Sequence, residues 1–97
     1  MARKYLRITE VIKICGVDAE FVDYLERERI VEATMQRKLK YYSPDQVDRV
    51  RVAHLLMSEL GVNLEGAEIA LHMREQMIAM QRQFTDLLRL LGRNLKK

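Results

Sequence analysis

The sequence predicts a mainly α domain in which two short helices flank a glycine turn, followed by a small basic wing and a long C-terminal helix. Three observations carry this. First, Val11, Ile12, Ile14 and Cys15 form an apolar face at helical spacing that stops at Gly16, and a second helical pattern starts at Asp18. Second, Ser43-Pro44-Asp45-Gln46 has the makings of a complete helix start. Third, Ile69, Met73, Met77, Met80, Phe84, Leu87 and Leu91 recur at spacings of 4, 4, 3, 4, 3 and 4, close to a heptad seam. One proline and four glycines leave little room for the turns of an all-β fold. At 97 residues the chain is one small unit. Residues 1–62 form its helix-turn-helix part, with the wing at about 33–42, and residues 63–97 form a C-terminal helical segment.

Residues 1–7 are a basic start in which Tyr5 and Leu6 are the first candidates for packing. Gly16 suits the position after a helix, where a positive φ costs glycine little. The second helix is predicted over residues 18–32, capped by Asp18, with Phe21, Val22 and Leu25 on one face and Ile30 and Val31 closing it. ATMQRKLKYY reads as a small hairpin or wing ending at Tyr42, although it has no Asn-Gly or Gly-rich turn. In the next helix Ser43 is the N-cap, Pro44 takes the first helical position and Gln46 returns a capping-box bond. That helix runs through Val47, Val50, Ala53, Leu56, Met57 and Leu60 to Gly61. Asn63 then caps the last helix, with Val62 and Ala67 placed as a hydrophobic staple. From Leu64 to Leu91 that helix would reach about 40 Å at 1.5 Å per residue, longer than this domain can cover with its own core. A symmetric dimer through Met73, Met77, Met80, Phe84, Leu87 and Leu91 is expected.

Apolar residues at 48% and charged ones at 32% place the chain among globular domains, and no stretch approaches the length of a membrane span. A lone cysteine, Cys15, excludes an internal disulfide and fits a reducing compartment. Arg3 and Lys4 are followed by YLRITE where a signal peptide needs an apolar run, so a cytoplasmic location is expected. Cys15 on an apolar face reads as a small core hydrophobe. His54 and His72 stand on different helices without other ligands around them, so no metal and no cofactor is expected. No nucleophile–base pair, phosphate-binding glycine loop or paired catalytic carboxylates appear, so the chain is not read as an enzyme.

The net charge of +3 is unevenly spread: +3 over residues 1–13, −4 over 18–32, +3 over 33–42 and +4 over 80–97. In the second helix Asp18, Glu20, Asp23, Glu26, Glu28 and Glu32 face only Arg27 and Arg29. A helix meant to lie between phosphates needs cations, because neutralising phosphates supplies much of the affinity. The acidic helix therefore reads either as a solvated face, with pairs such as Glu26–Arg29, or as a surface for a protein partner. The wing has the opposite sign: Arg37, Lys38 and Lys40 with Tyr41 and Tyr42 suit either phosphate contact or an ordinary solvated hairpin with one tyrosine packed inside.

ITEVIKICGVD, YYSPDQVDRVRVAHLL and LGVNLEGAEIAL, in this order, resemble the first helix and turn, the wing exit with the third helix, and the fourth helix of the MerR family of dimeric winged helix-turn-helix proteins. The resemblance covers residues 6–92. GVNLEGAEIALHMREQM is similar to heat-shock repressors of the MerR type. The short length and acidic second helix are more similar to the chaperone-modulator (CbpM-like) branch, whose members bind the J-domain of a DnaJ-like co-chaperone and restrain it. DNA-binding members carry an Arg-Tyr pair in the second helix. Here the aligned run is Val22-Asp23-Tyr24-Leu25-Glu26, so Asp23 takes the arginine's place and the sign of a phosphate contact is reversed. The resemblance thus implies a J-domain partner held by Glu20, Phe21, Asp23, Tyr24, Glu26 and Arg27. The alternative is a MerR-type transcriptional regulator touching duplex DNA through Arg37, Lys38, Lys40, Tyr41 and Tyr42.

Overall fold

The computed structural model describes residues 4–95. The chain forms α1 (Ile8–Cys15), α2 (Ala19–Arg27), an antiparallel hairpin of β1 (Thr34–Gln36) and β2 (Leu39–Tyr41), α3 (Pro44–His54) continued by a π-helical turn (Leu55–Glu59), and α4 (Leu64–Leu95). It is mainly helical, with a two-stranded sheet where the wing was expected.

α1 starts where the Arg7 backbone N–H donates to Glu10 Oε1 at 3.1 Å and stops at Gly16, whose φ is +67°. Val11 and Cys15, one turn apart, are buried and Ile12 is half-buried. Ile14 departs from the expected face: it is 62% exposed, at the edge of the Val11–Cys15 stripe and not on it.

α2 begins with Asp18 Oδ1 accepting from the Phe21 N–H at 2.8 Å. It ends at Arg27, five residues short of the expected Glu32, as Arg29 takes a φ of +62° and reverses the chain. The reversal returns Ile30 N–H to the Leu25 carbonyl at 2.9 Å and buries Ile30 and Val31. They are core residues, as their apolarity suggested, but they sit on a loop.

The hairpin pairs Thr34 with Tyr41, Met35 with Lys40 and Gln36 with Leu39. Its two turn residues, Arg37 and Lys38, have φ of +51° and +67°, the backbone of a tight two-residue turn that Asn-Gly usually occupies. A regular hairpin therefore forms without the sequence signal for one. Leu6 extends it by exchanging two backbone hydrogen bonds with Tyr42, at 2.9 and 2.7 Å.

Ser43 Oγ accepts from the Gln46 N–H at 3.3 Å, as its N-cap position required. The reciprocal bond differs from expectation. Gln46 Oε1 accepts from the Glu32 N–H at 2.9 Å, tying the loop after α2 to α3 rather than closing the capping box. Arg49 reinforces the link with Nε on the Ile30 carbonyl at 2.6 Å. After His54 the helix widens: Leu60 N–H reaches the Leu55 carbonyl five residues back at 3.1 Å, and Gly61 follows at a φ of +72°.

Asn63 Oδ1 caps α4 by accepting from the Gly66 N–H at 2.8 Å. The helix then runs 32 residues without interruption through Met73, which makes the chain 57 Å long. Only its first turns join the core, where Leu71 packs with Val11, Val22, Leu25, Ile30, Tyr42 and Val50. Asp48 on α3 holds the next turn, 2.8 Å from Arg74 and 2.7 Å from Arg51, and Arg49 pairs with Glu75. Partial burial pushes the Asp48 carboxyl up, but the two guanidinium groups outweigh it and hold it below the usual carboxylate range. From Ala79 to Arg93 every residue is exposed. No helix among the described residues is long and apolar enough to cross a membrane.

Candidate partner-binding face

α2 turns Val22 and Leu25 inward, so the helical period places Glu20, Asp23 and Arg27 along its outer stripe. Arg27 is the only cation of this helix, and its Nε lies 3.4 Å from Asp23 Oδ2, one turn away. Both side chains are about two-thirds exposed, at 67% and 61%, so the pair is solvated and weak. The outward surface of α2 carries two carboxylates and one cation already engaged.

Glu26 lies elsewhere. Its side chain is 16% exposed, and its two oxygens face the hairpin: Oε1 accepts from Lys40 Nζ at 3.0 Å, and Oε2 accepts from the Tyr42 hydroxyl at 2.5 Å. The pair with Arg29 that the sequence suggested does not form; Arg29 lies beyond the helix end, where the chain has reversed. Tyr42 is 1% exposed. Burial raises its phenol above the ordinary tyrosine range, and the hydrogen bond to and charge of Glu26 raise it further.

Phe21 and Tyr24 pack against the core from its edge, and Phe21 meets the His54 ring edge-on at 5.8 Å. Tyr41 is half-buried under the Arg7 guanidinium, 5.4 Å from its ring centre. The structure therefore brings Glu26, Lys40 and Tyr42 into one cluster. Glu20, Asp23 and Arg27 stay on the outer stripe, and Arg37 and Lys38 stand exposed at the hairpin tip.

Sequence reasoning missed three contributors, Arg7, Ala19 and Met35. Arg7 and Ala19 line, with Asp23, Glu26 and Lys40, a shallow groove between the start of α1, α2 and the hairpin. Met35 is 58% exposed and pairs with Lys40 across the hairpin, so it lies on the strand face that meets α2. The period-two alternation of a strand would have shown this, had the turn at Arg37-Lys38 been recognised.

Cys15 is buried, its thiol raised by burial and directed at the Val47 carbonyl 3.6 Å away. Among the described residues no group of three His, Cys, Asp or Glu side chains could hold a metal ion. The seam residues Met73, Met77, Met80, Phe84, Leu87 and Leu91 are 46–68% exposed.

No curated protein matches the chain significantly. The family described as MerR HTH family regulatory protein matches it over residues 6–89, from Leu6 before α1 to the far part of α4. The helix-turn-helix, the hairpin and the first turns of α4 all lie within that span, and the chain belongs to the MerR helix-turn-helix family of regulatory proteins.

Proposed function

We propose that this regulatory protein acts by binding, without catalysis, and that its partner is the J-domain of a DnaJ-like co-chaperone, engaged by the outer stripe of α2. One observation carries the reading: Glu20 and Asp23 project from the helix that would otherwise face phosphates, and the only cation beside them is paired with Asp23. That sign repels a polyanion and steers a basic helix into register. Glu26 serves the face from behind, holding the hairpin through Lys40 and Tyr42. The buried thiol of Cys15 suits a reducing, cytoplasmic setting.

The test is titration of a purified J-domain by calorimetry against the protein and its Glu20→Lys/Asp23→Lys variant. At least a tenfold loss of affinity is expected; equal affinity in the variant refutes the reading.

A second reading has its own support, since Arg37 and Lys38 are held outward at the hairpin tip where a DNA backbone would be touched. It makes the protein a MerR-type DNA-binding transcriptional regulator. It requires affinity for duplex DNA that falls steeply between low and physiological salt, and absence of binding at low salt rules it out.

In both readings the protein is a homodimer through α4. Nine large apolar residues between Ile69 and Leu91 are exposed along it. At roughly half to two-thirds exposure they represent about 900 Å² per chain, close to what one partner contributes to a stable interface. A solution mass of one chain at micromolar concentration refutes this.

A further inference from the structure

Ile14 is the apolar residue of α1 that the fold leaves outside its core. It does not stand alone. With Leu6, which pairs with Tyr42, and with Pro44 and Val47 from the first turns of α3, it lines a groove of about 390 Å³. Leu6, Pro44 and Val47 are half-buried, so the floor is fixed and apolar while Ile14 forms its lip. Lys4 and Arg51 edge the groove, and both are exposed. The acid in its lining, Asp48, is already taken by Arg51 at 2.7 Å and Arg74 at 2.8 Å. Glu10 reaches Lys4 only at 4.0 Å, a loose and solvated pair. Lys13 adjoins Ile14 and is exposed. Lys4, Lys13, Arg51 and Arg74 thus stand near the groove against Glu10 and Asp48, an excess of positive charge. None of the residues that line it lines the groove beside Asp23.

We propose that this groove is a second docking surface, and that its occupant is an acidic amphipathic segment of another protein. A large apolar side chain of that segment lies on the Leu6–Val47 floor beside Ile14, and its carboxylates reach toward Lys4 and Arg51. The proposal goes beyond the reading of α2, whose acids call for a basic partner. The sign of the rim attracts carboxylates and turns away a basic segment. The shape excludes a small acid as the main occupant. Sites for small ligands enclose most of the ligand surface, whereas a lip residue 62% exposed marks a groove open along one side. A protein segment brings its own cover for that side. A second copy of this chain has no such segment to spare: α2 turns Val22 and Leu25 inward, and the apolar seam of α4 is the dimer contact proposed above.

The test is a titration of the full chain with a labelled helical peptide that carries leucines along one face and glutamates beside them. A twin peptide has lysine at every glutamate position. The glutamate peptide should bind at low salt and weaken as salt rises. It should shift the amide resonances of Leu6, Ile14, Val47 and Arg51 and leave those of Glu20 and Asp23 unmoved; the lysine twin should not shift the groove residues. Ile14→Glu and Lys4→Glu, both at exposed positions, should each lower the affinity at least tenfold with an unchanged circular dichroism spectrum. Whatever affinity a J-domain shows should be the same in both variants, so the groove and the α2 reading fail separately. Absence of binding at low salt, equal groove shifts from the lysine twin, or undiminished affinity in both folded variants overturns the proposal. It is equally overturned if octanoate fills the groove and the peptide does not, or if Ile14→Glu lowers the solution mass to one chain, which would assign the groove to a second copy.

Discussion

The Tyr42 hydroxyl donates to Glu26 Oε2 at 2.5 Å, in a setting where Tyr42 is 1% exposed and the other oxygen of the same carboxylate accepts from Lys40. One side chain of α2 thereby holds the hairpin at two points. The groove beside Asp23 has its shape because of this clasp. A single acid makes helix and hairpin one surface.

Removing the clasp has a measurable cost. Tyr42→Phe should destabilise the protein by about 1.5–3 kcal/mol, the usual worth of a hydrogen bond to a charged group. Glu26→Gln should also destabilise, since its one amide oxygen can accept from Tyr42 or from Lys40 but not from both. Urea unfolding followed by circular dichroism checks both, and equal stability of Tyr42→Phe and the parent contradicts the clasp.

The clasp also makes an alkaline prediction. Burial together with Glu26 raises the Tyr42 phenol above the ordinary tyrosine range. A group whose folded pKa lies above its unfolded value contributes stability that is complete below the unfolded value, near pH 10, and is lost as pH rises toward the folded one. Tyrosinate absorbance should therefore carry a late component from Tyr42 that Tyr42→Phe lacks. The alkaline fall in stability should be shallower in Tyr42→Phe.

The hairpin turn stores backbone strain at two non-glycine residues, Arg37 and Lys38, with φ of +51° and +67°. Arg37→Asn/Lys38→Gly should raise the stability by about 1 kcal/mol or more, because these residues adopt the left-handed region readily. The same change removes both tip cations. It should leave J-domain affinity unchanged and abolish whatever affinity duplex DNA shows. Thermal melts and a DNA titration read the two effects separately.

Asp48 predicts the acid side. Arg51 and Arg74 hold its carboxyl below the unfolded value. Its contribution is therefore complete above the ordinary carboxylate range and is lost as pH falls through the folded value. Asp48→Asn should lower stability at neutral pH and flatten the acid limb of the stability profile; a parallel profile in the variant contradicts the assignment.

Much of this was legible because the signals were local. Gly16, Asp18, Ser43, Pro44 and Asn63 act on backbone groups within three or four residues, so their roles follow from order alone. The burial of Val11, Val22, Leu25 and Val50 follows from helical period, whereas Leu71, buried on the face of α4 opposite the apolar seam, was not singled out. The hairpin turn was hidden because Arg-Lys carries no turn preference, and its conformation is imposed by the strands on either side. Gln46 was misread for a related reason: its local partner lost to the Glu32 N–H, a donor fourteen residues away. The π-helical turn at Leu55–Glu59 had no local signal either.

Order and composition alone settled the helical class, the caps, the reversal of charge on α2 and the long apolar seam of α4, since each depends on neighbours within a turn or two. The tertiary structure decided which acids serve which role. Glu20, Asp23 and Glu26 look alike in the sequence, and only the return of the hairpin, bringing Lys40 and Tyr42 from some fifteen residues away, turns Glu26 into a clasp and leaves Glu20 and Asp23 facing outward. A carboxylate's task is set by what stands opposite it, and in a folded chain that is a long-range property.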